Sequence, residues 1–159
     1  MKVRIIALLL SVSFNCFAAD QCQKSNNDGK IIAWGFEAMM AIYSGNFTKD
    51  QRQVIERSEY LTKSAKDAYI QVYDKSGMSN IVKQKKLITS VGLYRSPLIM
   101  DKKQDEWVLQ MPLTTFYQSA TEFTEDKNLI TLKIIKDPKA PDCLRVSDMK
   151  IKPVKDSKS

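Results

Sequence analysis

One run of this chain restricts its fold more than any other. From Trp107 to Ser119 it reads WVLQMPLTTFYQS, with Trp107, Leu109, Met111, Leu113, Thr115 and Tyr117 at alternate positions. That period of two predicts a long strand with one buried face. Pro112 stands in its middle. Proline lacks the N–H that a sheet interior uses, so it belongs at an edge, a bulge or a bend. A strand bent there can wrap a helix instead of lying flat.

The helices for it to wrap precede it. Residues 19–29 are polar apart from Cys22 and read as an extended lead-in. Lys30 to Ser44 is richly apolar, with Ile32, Phe36, Met39 and Tyr43 at helical spacing and a stop at Gly45-Asn46. Thr48 with Gln51 predicts a capping box for a second helix through Val54, Ile55 and Ser58. After Thr62, the positions Ala65, Ala68, Tyr69, Val72 and Tyr73 predict a third helix, which Gly77 ends.

The period then changes from about 3.6 to 2. Leu87, Thr89, Val91 and Leu93 alternate with Ile88, Ser90, Gly92 and Tyr94, and Asp101 to Asp105 reads as a charged turn. After the Trp107 strand comes a polar turn around Glu125 to Asn128, then a strand with Ile130, Leu132 and Ile134 inward. In the last strand Leu144 and Val146 share one parity and Met149 and Ile151 the other, which predicts a bulge near Ser147–Asp148. Helices followed by strands define an α+β class: three N-terminal helices packed on a curved antiparallel sheet of about four strands.

The N-terminus sets the compartment. Lys2 and Arg4, the apolar run Ile5 to Phe14, and Cys16-Phe17-Ala18 have the layout of a signal peptide over residues 1–18, cut before Ala19. The apolar run is about ten residues, short of the ~20 that span a membrane, and no later segment approaches that length. Periplasmic export follows, or secretion beyond it; a lipoprotein anchored through Cys16 ranks below because Phe14 and Asn15 suit lipidation poorly. Cleavage removes Cys16 and leaves Cys22 and Cys143 as a pair, most simply a disulfide in an oxidising compartment. No CxxC, no histidine and no third ligand support a redox or metal role. Removing Lys2 and Arg4 lowers the formal charge from +7 to +5. Nucleic acid is not an expected partner of an exported chain, and solvated lysines account for the excess. The last residues, 154–159, read as a flexible tail.

Catalysis has little to draw on. Without histidine no Ser-His-Asp or Cys-His arrangement can be built. The pairs Asp105–Glu106 and Glu125–Asp126 are sequence neighbours in turns, so neither reads as an acid–base couple. Glu37 lies within the most apolar helix; it is a pocket candidate with Tyr43, although the exposed stripe of the helix is its commoner use. Among the aromatics, Trp34, Phe36, Tyr43, Tyr69 and Tyr73 read mostly as core. Trp107, Phe116, Tyr117 and Phe123 can cover one sheet face, and any left exposed mark a protein-binding patch. The residues imply no cofactor and no metal.

The segments in order resemble a known family. The apolar helix with Trp34, Ala38 and Tyr43 is followed by Asn46-Phe47 and a basic, glutamine-containing helix, then by Ser58-Glu59-Tyr60-Leu61-Thr62. Lys83-Gln84-Lys85-Lys86-Leu87 enters a strand, and the motif of Trp107, Gln110, Met111, Pro112 and Leu113 runs on to Tyr117-Gln118-Ser119. This resembles the DotI/IcmL family of type IVB (Dot/Icm) secretion systems, with its W-x-(V/L)-Q-(M/V)-P-L segment and T-Y-Q strand, over about residues 30–152. The resemblance implies a periplasmic domain spanning 30–153, shaped as a nuclear-transport-factor-2-like cone. It also implies a non-enzymatic role through contacts with secretion-system proteins in the envelope, or with further copies of the chain. Two departures stand out: a cleavable signal replaces the family's membrane-spanning helix, and Ala65-Lys66 replaces its Gly-Trp. The expectation is thus a free-standing paralogue. The rival reading is a cone-fold envelope protein that binds or transforms a small ligand.

Overall fold

A computed structural model of the protein describes Cys22 and residues 27–154. The expected signal peptide, most of the lead-in and the tail from residue 155 lie outside the described residues. Helix α1 (Asp28–Tyr43) starts inside the expected lead-in, because the Asn27 side chain accepts from the Lys30 N–H at 2.9 Å and caps it. Its buried stripe is Ile31, Trp34, Gly35, Ala38, Met39 and Ile42. Ile32, Phe36 and Tyr43, taken from the sequence as the inward face, flank that stripe and are partly buried.

Strand β1 (Gly45–Asn46) and helix α2 (Gln51–Arg57) follow. The expected Thr48–Gln51 capping box does not form: Asp50 caps α2 by accepting from the Arg52 N–H, and Gln51 donates to the Ile42 carbonyl of α1. Helix α3 (Lys63–Ser76) is capped by Thr62 and ended by Gly77 with φ +69°, a left-handed position that suits glycine. A fourth helix, α4 (Met78–Gln84), begins immediately, so the count is four and not three. It buries no residue fully, and its apolar set of Met78, Ile81 and Val82 spans only about one turn, too short to stand out in the sequence.

The sheet has six antiparallel strands where about four were expected: β1, β2 (Ile88–Leu93), β3 (Leu98–Lys103), β4 (Glu106–Gln118), β5 (Phe123–Lys136) and β6 (Leu144–Pro153). Its order is β1-β2-β4-β5-β6, with β3 also on β4. The charged segment Asp101 to Lys103 is strand and not turn, pairing with Val108, Trp107 and Glu106. The polar run Glu125 to Asn128 is likewise strand, paired with Phe116 to Leu113. Glu106 and the Glu125–Asp126 pair therefore lie in strands as well. The hairpin turns instead at Ser119 to Glu122, where the Ser119 N–H donates to the Glu122 carbonyl at 2.9 Å.

Pro112 occupies neither an edge strand nor a bulge. Residues 106–110 of β4 pair with β3, and residues 113–118 of the same edge pair with β2. Pro112 sits at the changeover, and its carbonyl accepts from the Tyr94 N–H at 3.2 Å in the connection between those two strands. In an antiparallel strand a residue's N–H and C=O point to the same side. The missing donor thus faces Tyr94, just past the last paired residue of β2, so the loss falls at the end of one ladder and not in its interior. The predicted bulge does occur, at Ser147, where the β5–β6 register shifts between Lys133 and Ile134. It brings Val146 opposite Ile134 and Met149 opposite Leu132, so both parities of β6 reach the same face.

The core lies between α1 and the inner sheet face. Met39, Leu109, Met111, Leu113, Ile130, Leu132, Ile134 and Val146 are fully buried. Each such side chain contributes about 1.5–3 kcal/mol. Gly35 permits the close approach of α1: a Cβ there would stand 2.5 Å from Leu109 Cδ2 and 3.3 Å from Met111 Cε. The Leu61 segment bridges the outer edge of β6, with the Val146 N–H donating to the Tyr60 carbonyl at 2.8 Å. Cys22 and Cys143 form a disulfide with Cα atoms 5.6 Å apart and a sequence separation of 121. It links the segment before α1 to the residue before β6.

Candidate functional site

The sheet is filled by apolar side chains along the first half of β4, but not along the second. Between the C-terminal end of α1, helices α3 and α4, and the β2–β4 part of the sheet lies a cavity of about 180 Å³. Four tyrosines line it: Tyr43 from α1, Tyr69 and Tyr73 from α3, and Tyr117 from β4. Tyr43 meets Tyr69 edge-on at 5.8 Å between ring centroids, and Tyr69 stacks on Tyr73 at 6.5 Å. Both are favoured arrangements for ring quadrupoles. Ile42, Val72, Met78 and Val82 supply apolar wall, and the exposed Lys49 and Lys83 stand among the lining residues.

Burial dominates the electrostatics of this ring. It pushes the Tyr43 hydroxyl far above the ordinary tyrosine value and does the same to Tyr69. Burial, aided by the neighbouring Asp126 carboxylate, pushes Tyr117 up to about 12, and Tyr73 is raised by burial as well. All four are neutral phenols at physiological pH and can donate hydrogen bonds. The Tyr43 hydroxyl is shielded from solvent and makes no hydrogen bond of full geometry. The Tyr69 hydroxyl is its polar neighbour and offsets part of the rise that burial causes.

The structure separates the two residues proposed from sequence as a pocket. Tyr43 lines the cavity, whereas Glu37 is exposed and accepts a hydrogen bond from Tyr60 Oη at 3.0 Å. Within the strand motif, Trp107, Met111, Pro112 and Leu113 are buried. Gln110 pairs with Leu98 and Thr131, and Gln118 is exposed at the strand end. Tyr117 alone of the motif reaches the cavity. Tyr69, Tyr73, Met78 and Val82 were not singled out as lining residues. The tyrosines have the same helical spacing as core positions, and Met78 and Val82 lie on the unanticipated α4. Among the described residues no group of three or more His, Cys, Asp or Glu gathers as metal ligands, and no helix is long and apolar enough to cross a membrane.

A second feature lies on the opposite, convex sheet face. Ile88, Gln118 and Phe123 stand side by side across three strands, with Phe116 stacked on Phe123 at 6.0 Å. Phe123 is 62% exposed and Ile88 54%. Apolar side chains grouped this way on a soluble surface mark an interaction site more often than isolated ones do.

A helix-covered, curled antiparallel sheet of this kind, joined by the Cys22–Cys143 disulfide, defines an α+β domain. The sequence model of the family described as "Type-IV b secretion system, inner-membrane complex component" matches residues 18–153. The chain belongs to that DotI/IcmL family. The structure of the periplasmic domain of DotI superposes with a TM-score of 0.73 at 27% identity, covering 83% of this chain and 99% of that one. An IcmL-like type IV secretion system protein from Legionella pneumophila subsp. pneumophila str. Philadelphia 1 gives 0.76 at 15% identity, covering 85% and 99%. A periplasmic fragment of TraM gives 0.71 at 16% identity, covering 82% and 100%. At these lower identities the likeness concerns the fold alone. No curated protein matches the sequence significantly.

Proposed function

We propose that the chain is a non-catalytic periplasmic protein of a type IVB (Dot/Icm) secretion system, a component or an accessory, that acts through protein–protein contacts. The family match over residues 18–153 carries this reading, since it takes in nearly all of the chain outside the expected signal peptide. Two structural features support it. The Cys22–Cys143 disulfide fits an oxidising compartment. The Ile88–Phe116–Phe123 face offers an aromatic contact surface of the sort that carries binding energy in protein interfaces. The curl of the sheet over α1 agrees with a nuclear-transport-factor-2-like cone. A signal peptide cut before Ala19 would make the chain a free-standing member of the family, held to its partners by contacts and not by a spanning helix.

Capture of the tagged, exported protein from periplasm tests the reading. The expected result is recovery of secretion-system proteins by the wild type and their loss with Phe123→Asp. Recovery of no secretion-system or envelope protein by the wild type overturns it.

A further inference from the structure

We infer that the tyrosine-lined cleft binds a single-chain anionic amphiphile, its apolar chain laid along the tyrosine wall and its anionic head held by Lys49 and Lys83. The inference goes beyond the secretion reading and does not depend on it. Shape is the first argument. The cleft is open to solvent along one side, and its lining runs from Thr89 on β2 past Tyr117 on β4 to Ile151 on β6. That path crosses three strand spacings, about 14 Å along the sheet. The space is a trough, and a chain lying along it with its head at the mouth matches that form.

Wall chemistry is the second argument. Tyr43, Tyr69 and Tyr73 present ring surface to the cleft, and Val72 and Ile151 on its lining remain 59% and 40% exposed. These are apolar surfaces that nothing in the described chain covers, and each methylene buried on them raises affinity about fourfold. The third argument is charge. Much of the polar lining is already engaged within the protein: Asn46 Oδ1 accepts from the Thr48 N–H, Gln51 donates to the Ile42 carbonyl, and Ser76 donates to the Tyr73 carbonyl. The two cations are not, since Lys49 and Lys83 take part in no ion pair among the described residues. No carboxylate belongs to the lining. The acids beside the tyrosines have other engagements: Asp50 caps α2, Asp74 pairs with Arg52, and Asp126 acts on the Tyr117 hydroxyl. A neutral head would leave both lysines unused, and a cationic one would be repelled by them.

Probes that share one chain and differ in the head test the inference. Titration of the folded protein, followed by NMR, should show saturable shifts at cleft residues with octanoate. Octan-1-ol should bind at least about fivefold more weakly, as one exposed charge pair predicts, and octylammonium more weakly still. The margin of octanoate over octan-1-ol should shrink as salt is added. Lys49→Gln combined with Lys83→Gln changes two exposed side chains; it should erase that margin and leave octan-1-ol binding intact. Val72→Asp, also at an exposed position, should abolish octanoate binding while circular dichroism stays that of the wild type. Octyl phosphate separates the sources of such a ligand: tighter binding than octanoate assigns a lipid phosphate head, weaker binding a free fatty acid, and either order supports the inference. It is overturned if octanoate does not saturate, if the shifts map to the Phe116–Phe123 face, if octan-1-ol or octylammonium binds as tightly as octanoate, or if the double glutamine variant keeps the margin.

Discussion

The two ends of the half-barrel are built from the same helix and the same strand, yet they are packed in opposite ways. At one end Gly35 and Met39 of α1 pack in one core with Leu109 and Met111 of β4 and with Leu132 and Ile134, so closely that a Cβ at Gly35 would collide with Leu109. At the other end Tyr43 of the same helix faces Tyr117 of the same strand across an open cavity. Pro112 marks the boundary, where β4 changes its partner from β3 to β2. The disulfide is not placed evenly either, since Cys143 lies beside Asp142, which accepts from the Trp34 indole at 3.4 Å at the packed end. The contrast teaches that one end holds the fold and leaves the other free to keep a hole.

The largest expected effect comes from removing the staple. A Cys143→Ser protein, or reduction of the wild type, should lose about 5 kcal/mol, the chain-entropy value for a loop of roughly this length. Urea unfolding measures the loss, and amide exchange locates it: α1 and β6 should lose protection before α3 and α4 do. Uniform loss across all elements would break the contrast between the ends.

Next in size is a direct comparison of truncations. Leu132→Ala removes a fully buried side chain at the packed end and should cost about 3 kcal/mol. Val82→Ala, at the cavity wall, removes contacts on one side only and should cost less than about 1 kcal/mol. Equal costs in denaturant titrations would show the cavity to be as well packed as the core. A smaller effect is expected at Gly35. Alanine gains about 1 kcal/mol of helix propensity, but its Cβ would lie 2.5 Å from Leu109 Cδ2, and overpacking of that kind costs about 1–3 kcal/mol. The side chain of Leu109 can yield in part, so net destabilisation of about 1 kcal/mol is the expected outcome by urea unfolding.

The same contrast decides what could be read from the sequence. Packed-end features were legible because each leaves a pattern: the 3.6 period of α1, the parity slip that becomes the Ser147 bulge, and the pairing of two cysteines. Strand β3 was hidden because an edge strand bearing Asp101, Lys102 and Lys103 has no buried alternation, and it carries a register shift between Ile99 and Asp101. The outer half of β5 was hidden for a similar reason, with Thr124 to Asp126 exposed. At the cavity, Tyr69 and Tyr73 obey the same spacing as core residues. Whether such residues pack or line a hole depends on how far the facing elements stand off, and that distance has no signature in either residue. Helix α4, which borders the hole, turns only half-buried residues inward and none that is fully buried.

The smallest effect at neutral pH, and the most specific to the hollow end, concerns the tyrosines in alkali. Burial raises Tyr43 and Tyr69 above their ordinary value of 10.0, and Tyr117 to about 12. The unfolded chain releases these protons first, so the stability they allow is complete below pH 10 and declines as pH rises from there through the folded values. For a buried hydroxyl such as Tyr43 the decline is at most about 1.4 kcal/mol per pH unit. Tyr43→Phe removes one such group, so its stability curve should fall less steeply than that of the wild type above pH 10. Near-ultraviolet absorbance should show the same thing from the other side: phenolate formation lagging in the folded protein and completed only on unfolding. Parallel curves for the two proteins would mean that Tyr43 ionises as freely folded as unfolded. Water would then reach the Tyr43 hydroxyl, and the distinction between the cavity's inner wall and an ordinary surface cleft would fall with it.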